Sequence, residues 1–224
     1  MKALVIRLFR LFFGLFLYAM GIVLTMQAHI GYAPWEVFHA GLAKVMGVQI
    51  GTVSIMVGLV IGIAVMLFGE PLGLGTVCNM VVVGLFMNLL LGSGLFPELS
   101  NPVLGVVQLI AGLFVISLAS YFYISSGFGA GPRDSLMVLL SRKTKFSVGT
   151  CRGAMEISVT IVGYLLGGLL GWGTLLSAVL IGFCIQITFK VLRFDPKKVV
   201  HEDFVASYRK VGLFIQAHTI NKKA

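Results

Sequence analysis

Residues 103–124 read VLGVVQLIAGLFVISLASYFYI, a stretch without one charged side chain. A helix of that length rises about 33 Å, slightly more than the roughly 30 Å hydrocarbon thickness of a bilayer. Five further runs resemble it: Leu11–Met26, Val53–Phe68, Val77–Leu91, Ala154–Leu170 and Thr174–Thr188, all with few charges. One such run could be the buried helix of a soluble domain. Six in succession call for a membrane, because the chain is 58% hydrophobic and 11% charged, against roughly 25% charged residues in a soluble domain. The mean hydropathy is +1.01. The first run follows Lys2, Arg7 and Arg10. It is longer than the ~7–15 apolar residues of a signal peptide and more spans come after it, so it reads as a span.

The net charge of +9 suggests nucleic acid only if its placement is ignored. With six spans and the N-terminus in the cytoplasm, the inner segments hold Lys2, Arg7, Arg10, Arg133, Arg142, Lys143, Lys145, Arg152, Lys190, Arg193, Lys197, Lys198, Arg209, Lys210, Lys222 and Lys223. Only Lys44 falls outside. This obeys the positive-inside rule and makes the basic balance a topology signal, with attraction to anionic lipid and no nucleic-acid partner. It predicts a cytoplasmic (inner) membrane protein of bacterial type with both termini inside. Cys78, Cys151 and Cys184 lie in or beside spans without metal-ligand spacing, and read as small apolar residues.

Sliding the sequence on itself by 98 residues superposes Gly14 on Gly112, Gly31 on Gly129, Pro34 on Pro132, Gly51-Thr52 on Gly149-Thr150 and Gly75-Thr76 on Gly173-Thr174. Glu36 meets Asp134 and Lys44 meets Arg142 in the same register. Residues 1–97 and 98–194 are therefore two repeats, and 195–224 a basic tail. Each repeat holds one span, a short helix and two more spans. Three is odd, so the second repeat enters the membrane from the opposite side. The expected fold is an all-α membrane protein of six transmembrane helices in two inverted-topology repeats, an architecture that places binding sites near the midplane.

The short helix opens on Gly31-Tyr32-Ala33-Pro34-Trp35-Glu36 in repeat one and Gly129-Ala130-Gly131-Pro132-Arg133-Asp134 in repeat two. Proline suits the first helical position, an acid in the first turn complements the helix dipole, and Lys44 or Arg142 suits the last turn. Two placements are open. The helix lies at the interface, with Trp35, Phe38, Leu42 and Val45 as its buried stripe and Glu36, His39 and Lys44 away from it. Or it is re-entrant, its N-terminus aimed at a central cavity. The paired elements resemble the YczE/YyaS/YitT family of bacterial membrane proteins across residues 8–192, Gly129, Gly131, Pro132, Arg133 and Asp134 being the more distinctive. The resemblance implies a polytopic inner-membrane protein and leaves the substrate open.

Ionisable groups inside a membrane are expensive and functional by default. Candidates to line a substrate site are Glu36, Arg133, Asp134 and Glu156, with the repeat-equivalent amides Asn88 and Gln186. Gly31, Pro34, Gly129, Gly131 and Pro132 are the motif and hinge positions. Glu156 lies one turn from Arg152, which allows a local ion pair, and Asp134 could equally cap its helix. His29 and His39 flank the first motif and read as interfacial polar residues. Gly163-x-x-x-Gly167-x-x-x-Gly171 and Gly58-x-x-x-Gly62 permit close helix approach. No P-loop, G-x-S-x-G or H-E-x-x-H occurs, so neither an enzyme nor a cofactor or metal is expected. In the tail, Phe204, Tyr208, Val211 and Ile215 fall at helical spacing. The expected function is a small-molecule permease working by alternating access. The alternative is a membrane scaffold that holds a cytoplasmic partner through residues 195–224.

Overall fold

The computed structural model describes residues 2–70 and 72–199. The amphipathic helix expected over 204–215 lies outside them. The described residues form α1 (Lys2–Gln27), α2 (Pro34–Met46), α3 (Ile50–Leu67), α4 (Leu74–Gly92), α5 (Pro102–Ser126), α6 (Pro132–Thr144), α7 (Val148–Leu165) and α8 (Trp172–Val191), then a short 3-10 turn at Pro196–Lys198. No strand occurs among them.

Five helices are long and apolar enough to cross a membrane: α1, α3, α4, α5 and α8. Helix α7 is as long as α3, but Arg152 and Glu156 sit in its first half and lower its hydropathy. Around the bundle Val60, Ile63, Leu67, Val107, Leu175, Val179, Phe183 and Ile187 are exposed. An apolar surface of that extent has no place in water and is what lipid requires of a multi-pass membrane protein.

Helices α1 and α5 pack antiparallel through their small residues. Gly14 lies beside Tyr123, Gly21 beside Gly112 and Ile116, and Gly105 beside Ala28. A Cβ on Gly21 would stand 2.7 Å from the Ile116 side chain and 2.9 Å from the Gly112 carbonyl oxygen, so the backbones approach as they do in small-residue membrane interfaces. Helix α4 lies against α1 and α3, and α8 against α5. Leu11, Leu15, Val23 and Met26 of α1 meet Val83 and Met87 of α4 in one core, while Leu109 and Leu113 meet Cys184 in a second.

The segments that lead into the short helices cross between the halves. Gly173 donates its N–H to the Ile30 carbonyl at 2.9 Å, and Gly75 donates to the Phe128 carbonyl at 2.7 Å. These are the same bond made twice, ninety-eight positions apart. Gly31 abuts Gly171, and Gly129 abuts Gly73.

Asn88 and Gln186 do not share a role. Gln49, at the N-cap of α3, makes no side-chain cap. Asn88 supplies one from α4: its Oδ1 accepts from the Gly51 N–H at 2.8 Å, and its Nδ2 donates to Thr52 Oγ1 at 3.0 Å. In the second half Ser147 caps α7 itself by accepting from the Thr150 N–H. An amide at 186 has no cap to make there. Asn88→Ala should therefore destabilise the protein by about 1–2 kcal/mol, the cost of a half-buried cap lost with an orphaned N–H left behind. Gln186→Ala should change little. Paired thermal denaturation curves in one detergent check the contrast, and equal losses would refute it.

Candidate functional site

A cavity of about 390 Å³ lies inside the bundle, lined by residues from every helix of both halves. The N-terminal ends of both short helices reach it: Ala33, Pro34, Trp35 and Glu36 of the first, and Gly131, Pro132, Arg133 and Asp134 of the second. Pro34 and Pro132 each stand at the first helical position after an extended residue, where the missing N–H costs nothing. Each acid then falls in the first turn, beside the positive end of its helix.

The stripe and the polar set of α2 are each divided. Trp35, Glu36 and His39 near its N-terminal end are buried and line the cavity, while Lys44 and Val45 near its C-terminal end are exposed. Depth along the helix, more than its apolar face, decides which side chains turn inward.

Across the cavity Arg133 Nη2 stands 3.4 Å from Glu36 Oε1, a pair that joins the two halves. The guanidinium carbon of Arg133 also sits 4.6 Å from the centroid of the Trp35 ring, within cation–π range. The Glu36 side chain is 7% exposed and that of Arg133 35%. The repeat-equivalent acids therefore behave differently. Glu36 reaches across to the other half, whereas Asp134 accepts a bond from the backbone N–H of Gly131, the N-cap of its own helix. Asp134 is exposed and lines the cavity. Arg152 Nε donates to Glu156 Oε1 at 2.9 Å, and both line the cavity.

Glu36, Arg133, Asp134 and Glu156 thus come together, as do Pro34, Gly131 and Pro132. Gly31 and Gly129 stand one step outside as crossing points, and Asn88 and Gln186 do not line the cavity. Arg133 and Arg152, counted in the sequence among inner-side charges, both line it. The two halves contribute unequally. Trp35, Glu36, Ser54 and Gly58 line one side, and their repeat equivalents Arg133, Asp134, Arg152 and Glu156 the other. Repeat two carries four of these five charges.

His39 and Tyr18 escaped the sequence reading as cavity residues. Tyr18 forms a 2.6 Å hydrogen bond with Ser120 of α5. His39 is 1% exposed, lines the cavity, and neither ring nitrogen has a hydrogen-bond partner among the described residues. Its three-residue spacing from Glu36 was the available signal, since it places both on one helix face.

Residues 5–190 match the model of a family described as "Family of unknown function (DUF6198)". The chain belongs to this family. It is 33% identical over 189 residues to the uncharacterized membrane protein YczE of Bacillus subtilis, covering 84% of this chain and 87% of that one. An uncharacterized protein of Haemophilus influenzae is 32% identical over 190 residues, covering 81% and 83%. The uncharacterized protein YyaS of Bacillus subtilis is 22% identical over 182 residues, covering 80% and 90%. No solved structure matches the chain. The family match spans both short-helix motifs and every residue of the charged cluster.

Proposed function

We propose that the protein is a six-span permease of the cytoplasmic membrane, built of two oppositely oriented repeats, which moves a small molecule through the central cavity by alternating access. The observation that carries this reading is the cavity itself. Two short helices from different halves end there, and the Arg133–Glu36 pair across it joins the halves at the point where they would have to part.

Other features support the parts of the reading. The antiparallel course of α1 and α5, which occupy equivalent sequence positions, and the doubled crossing bonds are what oppositely oriented repeats would produce. A sixth span in α7 is supported by the placement of its charges: Arg152 and Glu156 pair with each other at the cavity, while Ile157, Ile161 and Leu165 are exposed on the helix. The basic residues at the ends of α6 and α8 favour a cytoplasmic placement of those ends. Re-entrant short helices follow, since their N-termini meet at an internal cavity where protein or water can satisfy the backbone.

Cysteine accessibility tests this reading. On a functional background lacking Cys78, Cys151 and Cys184, single cysteines along 32–46 and 130–144 are labelled in intact cells with a membrane-impermeant reagent. Positions around residue 36 should react from outside. Those around residue 134 should react only after the cytoplasmic side is opened. Labelling along one whole face of each helix, with no reactive position at its N-terminal end, would instead make the short helices surface braces and remove the permease.

A further inference from the structure

We infer that Glu36, Trp35 and His39 form a subsite for an organic ammonium group, and that Arg133 is the built-in cation an incoming ligand displaces from it. The inference rests on the cavity and deepens the permease reading by naming its substrate class: an amine with an apolar body.

The choice of a cation over an anion follows from how each charge is already used. The positive end of each short helix has an acid of its own in the first turn, Glu36 in one and Asp134 in the other. Neither end is free to hold an anionic ligand. Arg152 is engaged by Glu156 at 2.9 Å. The acids lining the cavity outnumber the arginines, three against two. Glu36 is the one of the three whose cation comes from the opposite half. Its Oε1 has Arg133 at 3.4 Å, long for a charge-assisted bond, which is ordinarily about 2.7–2.9 Å.

The second observation is independent of charge. His39, on the same face of α2, is buried with both ring nitrogens unpartnered among the described residues. A neutral imidazole offers one acceptor and one donor. The acceptor suits an ammonium N–H. The Trp35 face supplies the cation–π surface, and Arg133 now covers it. A carboxylate and an indole face thus meet at one point, with the His39 ring 6.3 Å from that of Trp35, and the group found there is the guanidinium of the opposite half. The apolar body of the ligand has Val57, Ile61, Met80 and Met137 to lie against.

Displacement has a mechanical consequence. While Arg133 answers Glu36, the halves are tied. When a ligand amine takes its place, the tie passes through the ligand, and α2 and α6 can separate.

The full-length protein with Trp172→Phe keeps Trp35 as its one indole, so its emission reports on the subsite. Purified in detergent, it is titrated with 2-phenylethylamine, 3-phenylpropionate and 2-phenylethanol, which share an apolar body and differ in charge. The amine should give a saturable change, and the other two should not. Glu36→Gln should weaken the amine about tenfold or more. Arg133→Gln should tighten it about tenfold, the order of a partly buried charge contact removed as competitor. That gain cannot come from misfolding. Saturable binding of the carboxylate that is lost in Arg133→Gln, or no saturable response to the amine, would overturn the proposal. Proteoliposomes separate it from the permease reading. Amine binding without amine uptake leaves the site and removes the permease. Uptake of another solute without amine binding does the reverse.

Discussion

Gly31→Ala and Gly129→Ala should each sharply lower recovery of folded protein. Two costs coincide at these positions. The backbone stands at φ +117° at Gly31 and +119° at Gly129, a region that residues with a Cβ seldom enter and that costs of order 1–3 kcal/mol where they do. The new methyl would also meet main chain. At Gly31 it would lie 2.7 Å from both Cα and N of Gly171, and at Gly129 it would lie 2.8 Å from Gly73 Cα. A flexible side chain could yield, but here the neighbours are glycine backbone fixed by hydrogen bonds from Gly173 to Ile30 and from Gly75 to Phe128. Together the strain and overlap come to about 4 kcal/mol or more, a large share of the roughly 5–15 kcal/mol by which native proteins are stable. Gly47→Ala is the control. Its φ of +69° lies in the left-handed region, and nothing stands within 4 Å of the new methyl, so it should cost only about 1 kcal/mol. Gel filtration of the three variants after identical solubilisation checks this. A monodisperse Gly31→Ala protein with near-normal melting would mean that the halves do not cross as closely as the structure has them.

The same crossings show why part of the fold was legible in sequence and part was not. Long apolar runs are a property of composition, so α1, α3, α4, α5 and α8 could be read directly. Pro34 and Pro132 marked their helices because proline and helix starts are linked by local geometry. The buried part of α2 could not be read by the same logic. An apolar stripe signals the core only where the alternative is water, and here Trp35 of the stripe turns inward together with Glu36 and His39 while Val45 is exposed. Asn88 and Gln186 stood as equals because the repeat register treats equivalent residues as equivalent in role. The difference lay thirty-nine positions upstream of each, where Gln49 leaves its helix uncapped and Ser147 does not. The charged cluster was half legible. Intramembrane charge flagged Glu36, Arg133, Asp134 and Glu156, but only the packing shows that Arg133 reaches Glu36 rather than its chain neighbour Asp134.

That reach predicts an unequal cycle of stabilities. Arg133→Gln should cost more than Glu36→Gln, about 2–3 kcal/mol against about 1 kcal/mol, because the two partners are buried to different depths. Glu36, 7% exposed, would keep its negative charge with no cation against it. Arg133, 35% exposed, would still have the Trp35 face and the open cavity when its carboxylate is gone. The double variant should lose less than the sum of the singles, with a coupling of about 1–2 kcal/mol, since removing both charges leaves neither stranded. Additive losses would mean that the 3.4 Å approach contributes no coupling. The cycle also joins stability to the proposed ligand. A group that binds only the folded protein stabilises it in proportion to its affinity. Saturating 2-phenylethylamine should therefore restore more melting temperature to Arg133→Gln than to the unsubstituted protein, and almost none to Glu36→Gln. The variant most damaged by the loss of its own cation should gain most from a cation supplied in solution, because in that variant alone the carboxylate has no cation of its own.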